Sequence, residues 1–512
     1  MLAVLDTAAM KAADRYTIEE LGLPSLILME QAASAVTAVV EERVEEDDLV
    51  VVVCGPGNNG GDGLAVARQR HAAGGSVEAV LVADPQRLSQ DAAAQWELAG
   101  RFGVPRWVLE EGTLPRLAAV VGRAALVVDA MYGTGLDRPL SGLPAGVVEL
   151  VNQSPVEVVA VDLPSGLSGS RGHIPGPAIQ ADLTVTFGAL KWAHILAPAA
   201  LLCGDVTVAD IGIPLATLQR VASGFLVEAA DAAGWLPERA PDAHKGHFGH
   251  LLVVAGRLGR AGAAALAARA AVRAGSGLVT VATPEGAVTA IQAAVPEAMV
   301  DPLPAAEDGS ARGDGIEASL AKATAVAVGP GLGLGEGPKR LLARILEAWS
   351  GPLVLDADAL TLLSGQLERL SGRRGPTVLT PHPGELARLL GVTTSEVQAD
   401  RPAAVRRAAE LCGCAVLLKG FRTLVAEPEG AIWINPTGSP GLASGGAGDV
   451  LTGIVGAYLA QGLAAKHAAA LGAFLHGRAA ELAGARFPGA VPASVVAKLI
   501  PKAEAELREL ES

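Results

Sequence analysis

The sequence predicts two successive α/β domains, each built on a parallel sheet covered by helices. Three observations carry this reading. Short β-branched runs alternate with alanine-rich stretches along the 512 residues, the rhythm of parallel strands joined by helices. Aromatic residues make up only 3% while Ala and Gly abound, so helices can pack closely on sheets. The chain is also longer than one core usually supports, and residues 219–245 break the rhythm with prolines and charges. The expected domains are 1–218 and 226–512.

In the first domain the strand candidates are 49–54, 77–83, 125–130, 156–162, 182–188 and 205–212. In the second they are 250–256, 278–283, 325–330, 353–358, 377–382 and 415–420. Nearly continuous apolar runs of this length fit strands covered on both faces, and the flanking Gly and Pro favour strands over buried helix segments. Helices are expected over about 62–73 and from near Asp449.

Charge and composition narrow the function. A net charge of -14 and a pI near 5.2 have the wrong sign for a nucleic-acid or anionic-membrane surface, so neither partner is expected. The longest uncharged helix candidate, 450–465, is interrupted by Gly453, Gly456 and Gly462 and falls short of the roughly 20 apolar residues of a membrane span. The opening MLAVLDTAAMKAADRYT has no basic run followed by an apolar run and a cleavage site, which points to a cytoplasmic enzyme. Cys54, Cys203, Cys412 and Cys414 lack zinc spacing and read as buried reduced thiols.

The chemistry gathers at strand ends. In VVVCGPGNNGGDG (51–63), the run GPGNNG formally matches the dinucleotide fingerprint G-x-G-x-x-G, but no acidic residue ends the next strand, since Glu78 lies at its start and Asp84 beyond it. Asn58 and Asn59 supply carbonyl oxygens suited to a hard cation, or else occupy left-handed turn positions. VVDAMYGTGLDRPLSG (127–142) ends a strand in Asp129, and VVAVDLPSGLSG (158–169) ends one in Asp162, with Ser165 behind it. Strand C-termini of a doubly wound sheet converge on one crevice, so Asp129, Asp162 and Ser165 would face Asn59 there.

These segments, with TVTFGALK ending in Lys191 and the opening MKAADRYTIEELGLPSLILMEQAA, resemble the NAD(P)HX epimerase domain of bifunctional NAD(P)H-hydrate repair enzymes over nearly all of residues 1–215. The resemblance implies a Rossmann-like fold and a substrate that is hydrated NADH or NADPH (NADHX, NADPHX). It assigns substrate contacts to Asn58, Asn59, Gly60, Gly61 and Asp62, and to Asp162. A second set comprises Gly133, Thr134, Gly135, Leu136, Asp137, Arg138 and Pro139. It assigns potassium (K+) to Asn59, Asp129 and Ser165. The implied reaction interconverts the R and S epimers at C6 of the damaged ring. The ring nitrogen expels the hydroxyl and accepts it back on the other face, which needs a proton donor and acceptor. Asp162 and Lys191 are the candidates.

In the second domain, NPTGSPGLASGGAGDVLTG (435–453) sets five glycines and two serines before an apolar helix, a ready anion hole. Asp449 in that run is either a cap or the base that deprotonates an attacking hydroxyl. Its G-A-G-D resembles the motif of ribokinase-like kinases, and on this segment alone a small-molecule kinase fits. The loops GPGLGLG (329–335), LDADAL (355–360), TPHPGELARLLG (380–391) and LLKGFRTLVA (417–426), with HKGHFGHLLVVAG (244–256), resemble the ADP- or ATP-dependent NAD(P)H-hydrate dehydratase domain over about 240–500. The resemblance implies a ribokinase-like fold and AMP-moiety contacts at Lys419, Gly420, Phe421, Arg422, Thr423 and Gly448. It places the hydrated cofactor at Ala263, Gly333, His382 and Asp449, with ADP as phosphoryl donor and Mg2+ beside it. Phosphorylation of the C6 hydroxyl would let it leave as phosphate, and loss of a C5 proton would restore the double bond. Ala447 stands where the family usually has threonine, and GRLGRAGA (256–263) departs from the usual pattern. A homo-oligomer is expected. A dehydrogenase and a non-catalytic cofactor-binding module are the other classes weighed.

Overall fold

The computed structural model describes residues 1–136, 138–484 and 486–510. Its contacts divide the chain into a unit of residues 2–224 and a unit formed by Met1 and the residues from Phe225 onward. Asp137 lies outside the described residues.

The first unit contains β1 (Leu2–Leu5), β2 (Val50–Cys54), β3 (Val77–Leu81), β4 (Arg106–Val108), β5 (Leu126–Ala130), β6 (Glu157–Val161), β7 (Leu183–Phe187), β8 (Leu190–Lys191) and β9 (Asp205–Ala209). Seven form one sheet in the order β4-β3-β2-β5-β6-β7-β9, parallel throughout, while β1 pairs with β8. Each expected strand forms; the apolar runs of β2, β3, β5, β6 and β7 are buried on both faces, whereas β9 is a half-exposed edge. The unpredicted ones are short. β4 is a half-buried edge strand of three residues, without the apolar run that identifies a central one.

Strand order reverses between β2 and β5, which parts the loops behind them and opens a crevice at the sheet's carboxyl edge. Into it runs the helix Asn58–Ala72, which starts four residues earlier than expected. Asn58 and Asn59 are its first turn, and neither has a positive φ, so the left-handed-turn reading does not hold. The glycines around them serve close approach. A Cβ on Gly55 would lie 1.8 Å from the carbonyl oxygen of Met131, and one on Gly63 2.4 Å from the Cβ of Ala130.

At the boundary lies β10 (Gly224–Leu226). The second unit contains β11 (His250–Val254), β12 (Leu278–Pro284), β13 (Met299–Leu303), β14 (Ala325–Val328), β15 (Leu353–Leu355), β16 (Thr377–Leu379), β17 (Ala415–Leu418), β18 (Leu424–Ala426) and β19 (Ile432–Ile434). Their order is β13-β12-β11-β14-β15-β16-β17-β18-β19, parallel up to β17 and antiparallel after it. Here the reversal falls between β11 and β14. Sequence pattern misses β13 because it is a largely exposed edge carrying Pro302, which an edge tolerates.

The expected apolar helix is two helices, Ala447–Ala460 and Ala465–Gly484, separated at Gly462 with φ 94°. Among the described residues no helix is long and apolar enough to cross a membrane, and the four cysteines are buried and unpaired by disulfides. Ala447–Ala460 packs against Ala261–Arg273 with almost no gap, since a Cβ on Gly453 would sit 2.0 Å from the Ala267 carbonyl oxygen. Gly453→Val should therefore force the helices apart at a cost of about 3 kcal/mol. A differential scan should show a lowered transition for the second unit. Gly262→Ala, on the facing helix with open space at its Cβ, should leave that transition unchanged or raised.

Candidate active sites

The crevice of the first unit holds a cavity of about 460 Å³ lined by side chains from the ends of β2, β5 and β6 and from four α-helices. Asp162 sits at its floor with φ 66°, a left-handed conformation that non-glycine residues seldom adopt. Four contacts hold it there. Its Oδ1 accepts from Lys191 Nζ at 2.7 Å and from Thr186 Oγ1 at 3.0 Å. Its Oδ2 accepts from the Thr134 amide at 3.1 Å, and its carbonyl oxygen lies 3.0 Å from His194 Nε2. The Lys191 amide donates to His194 Nδ1 at 3.0 Å, so the imidazole proton is on Nε2, pointing at the Asp162 carbonyl. Burial, with the Lys191 charge, pushes His194 down to about 3 and keeps it neutral.

Lys191 is buried, and an ammonium has three N–H donors. All three are committed: to Asp162, to Thr186 Oγ1 at 2.7 Å and to the Phe187 carbonyl at 2.9 Å. Lys191 thus fixes Asp162 and points no donor into the cavity, unlike the free proton carrier expected from sequence. Burial alone would raise the carboxyl of Asp162; Lys191 beside it holds it below its ordinary value.

Behind Asp162, Asp129 and Ser165 are in direct contact. Ser165 donates its hydroxyl to Asp129 Oδ1 at 2.6 Å and its amide to Oδ2 at 2.7 Å. Burial pushes Asp129 up to about 6 against these bonds. Asn59 lies beside Asp162: a Cβ on Gly133 would be 2.7 Å from Asn59 Oδ1 and 2.9 Å from Asp162 Oδ2. The Nδ2 of Asn59 is buried with no hydrogen-bond partner.

Of the expected substrate residues, Asn58, Asn59, Asp62, Gly133, Thr134, Gly135, Leu136 and Asp162 line this cavity. Gly60 and Gly61 are buried in the helix behind it, and Arg138 and Pro139 are exposed outside its lining. Two carboxyls there were not singled out from sequence, Asp14 on the helix Thr7–Arg15 and Asp91 on Gln90–Arg101. Isolated acids on helices carry no motif; only the fold turns them to Asp62 and Asp162.

The second unit holds a cavity of about 690 Å³ bounded by the 419–423 turn, the 435–448 loop and the helix Ala465–Gly484. Lys419, Gly420, Phe421, Arg422, Thr423, Gly448 and His382 all line it. The 420–423 turn is strained, with Gly420 at φ 148° and Arg422 at φ 53°. Buried Arg401 supports it from below by donating to the carbonyls of Phe421 and Arg422. His382 caps the helix Pro383–Leu390, its Nδ1 accepting from Gly384 and Glu385 while Glu385 Oε2 accepts from the His382 amide at 2.8 Å. Its turn thus satisfies one ring nitrogen, and the half-exposed ring still borders the cavity.

Asp449 lies in the first turn of Ala447–Ala460, where helical N–H groups have no intrahelical acceptor. Burial, then the Asp356 carboxylate, push it up to about 6, with Lys419 opposing. Lys419 Nζ pairs with Asp356 Oδ1 at 2.8 Å, and Thr452 Oγ1 donates to Asp356 Oδ2 at 2.7 Å. Burial would lower Lys419, but Asp356 and Glu385 raise it above its ordinary value. Asp356 and Glu385 sit in the LDADAL and TPHPGE segments without having been assigned roles. Ala263 and Gly333 fall outside the cavity lining, as does Asp449; Ala263 lies against Gly331, and the Gly333 amide donates to Asp358 at 2.8 Å. Among the described residues, no group of three or more His, Cys, Asp or Glu side chains is arranged to hold a metal.

Comparison with known proteins divides at the same place. Residues 25–193 match the family described as the YjeF-related protein N-terminus, and residues 251–502 the family described as NAD(P)H-hydrate dehydratase. The bifunctional NAD(P)H-hydrate repair enzyme of Moorella thermoacetica is 40% identical over 93% of this chain and 92% of its own. That of Thermofilum pendens is 38% identical over 99% and 97%. The crystal structure of a Bacillus subtilis ADP/ATP-dependent NAD(P)H-hydrate dehydratase, with ATP/Mg2+, covers 55% of this chain and 97% of its own at 32% identity and TM-score 0.48.

Lys191→Met should leave the Asp162 charge buried and unpaired, at a cost of about 3–5 kcal/mol. Urea unfolding of the first unit should show it, and adding Asp162→Asn should recover part of the loss. The folded carboxyl of Asp162 is depressed, so its stabilisation is fully present above the unfolded value of about 3.9 and lost as pH falls through the lower folded one.

Proposed function

The chain belongs to the family of bifunctional NAD(P)H-hydrate repair enzymes, an epimerase domain followed by a dehydratase domain, and from that premise we propose how its residues divide the two reactions. Residues 1–218 carry the epimerase and 226–512 the dehydratase. Together they convert the R and S epimers of hydrated NADH or NADPH into the intact reduced cofactor.

In the epimerase, the hydrated ring enters the cavity between Asn58, Asn59 and Asp62 on one side and the 133–136 loop on the other. Asp162, fixed by Lys191, places a permanent negative charge beside it. A positive charge forms on the ring when the C6 hydroxyl departs, and that carboxylate stabilises it. Asn59, Asp129 and Ser165 fit K+, because Asp129 is a buried carboxylate whose hydrogen bonds come from neutral donors only. Bound there, K+ supplies compensating charge that holds the loops behind β5 and β6.

In the dehydratase, the 419–423 turn and Gly448 hold the AMP moiety of ADP, and His382 and Asp449 meet the hydrated ring, with Ala263 and Gly333 as its outer contacts. Asp449 takes the proton of the C6 hydroxyl as it attacks the terminal phosphoryl group. The N–H groups opening Ala447–Ala460 receive the phosphoryl oxygens. Departure of phosphate, pushed by the ring nitrogen, and loss of the C5 proton give the reduced nicotinamide, with AMP and phosphate released. Mg2+ would be held mainly by the nucleotide phosphates, whose charge it would screen, with Asp358 the neighbouring carboxylate that suits it. The observation that carries the reading is Asp449, a half-buried carboxyl in the first turn of Ala447–Ala460, next in the chain to Gly448, which lines the cavity.

The test supplies an R/S mixture of hydrated NADH with ADP and Mg2+ and follows recovery of reduced-nicotinamide absorbance. Asp449→Asn should lower recovery by about 100-fold or more while the epimers still equilibrate. Absence of recovery with either ADP or ATP, or a stable phosphorylated product, would refute the dehydratase mechanism. Because the base must be ionised, the dehydration rate should rise as pH passes upward through about 6. Asn59→Ala should raise the K+ concentration needed for half-maximal epimerisation and leave dehydration of the S epimer unchanged.

A further inference from the structure

Epimerisation by loss and return of a hydroxyl needs one group that gives a proton and one that takes it. The Asp162–Lys191 pair does not fit either task. Lys191 has no free N–H, and Asp162 accepts bonds on both carboxylate oxygens. Three other carboxyls, Asp14, Asp62 and Asp91, line the same cavity without any hydrogen bond to the described residues. Asp14 reaches it from the helix Thr7–Arg15 and Asp62 from the helix Asn58–Ala72. We propose that Asp14 is a catalytic residue of the epimerase, exchanging protons with the C6 oxygen in partnership with Asp62. The proposal rests on the epimerase reading of the first domain.

The charges around this pair suit the exchange. Burial and the carboxylates of Asp162, Asp14 and Asp91 push the Asp62 carboxyl well above its ordinary value. Burial raises Asp14 to about 6, with Lys191 opposing and Asp162 reinforcing. Lys11, on Asp14's own helix, is the remaining charged group lining the cavity. These surroundings favour the acid form on Asp62 and leave Asp14 the more readily ionised of the two.

The step balances. Asp62 gives its proton to the C6 oxygen as the C6–O bond breaks, the bond pair leaving on oxygen as water. The ring nitrogen's lone pair meanwhile forms the N1–C6 double bond. Water then adds to C6 from the opposite face, the π pair returns to nitrogen, and Asp14 takes the proton the water sheds. The pair ends with its one proton on Asp14, the state from which the reverse reaction starts.

The test follows conversion of purified R-NADHX to the S epimer by chromatography, with the full-length protein and no nucleotide. Asp14→Asn should lower kcat by about 100-fold with KM within threefold, and Asp14→Glu should restore at least a tenth of the wild-type rate. The wild-type profile should rise through about pH 6, and the residual activity of Asp14→Asn should lack that limb. Dehydration of the S epimer with ADP, read on the same preparations, checks that the protein is intact. A kcat within threefold of wild type, a loss confined to KM, or an unchanged pH limb overturns the assignment of Asp14. Wild-type protein that leaves the R epimer unconverted overturns the epimerase reading itself, and the proposal with it.

Discussion

A parallel sheet can be entered by a polar ligand only at an edge, because both faces are sealed by helices, and in each unit the reversal of strand order decides where that edge opens. The reversal falls between β2 and β5 in the first unit and between β11 and β14 in the second. Loops behind the neighbouring strands then part, and the polar residues that end apolar strands, Asp129, Asp162, Asp356 and Thr380, arrive on one side. Everything else in the sites is adjustment to this constraint. The close-approach glycines let the loops come near enough, and the helix starts turn unpaired N–H groups toward what binds.

Each site also holds one lysine, Lys191 buried and Lys419 partly exposed, and the two are used differently. Lys191 spends its donors on Asp162, Thr186 and a carbonyl, which makes it part of the scaffold. Lys419 lines its cavity, pairing with Asp356 while still bordering the space a nucleotide would fill. A buried ammonium with every proton bonded organises charge, whereas one left at a cavity wall can meet phosphate. The difference follows from what surrounds each lysine, since both are single cations at the ends of apolar stretches.

That contrast marks how far the sequence could be read. Central strands were legible because burial on both faces writes an unbroken apolar run; β4, β13 and the three-residue strands are too short or too exposed to leave one. Asp129, Asp162 and Ser165 were legible as polar breaks at strand ends, and Asp129 and Ser165 do touch. The task of Lys191 was not, because it depends on partners brought together by the sheet. Asp356 and Lys419 are 63 residues apart in the chain and 2.8 Å apart in space, a pairing no local pattern encodes. Asp14 and Arg401 were invisible for the same reason, and the first turn Asn58–Gly60 was hidden because glycine-rich helix starts look like loops.

The left-handed backbone of Asp162 has a consequence for how this position can vary over time. Its φ of 66° is tolerated by Gly, Asn and Asp and by few other residues, while its bond to Lys191 requires an ionised carboxylate. Asparagine satisfies the backbone and loses the charge; glutamate keeps the charge but not the geometry. Neither neighbouring substitution is a neutral step, so a lineage can leave aspartate here only by changing Lys191 as well. The position is locked by two demands that meet in a single amino acid.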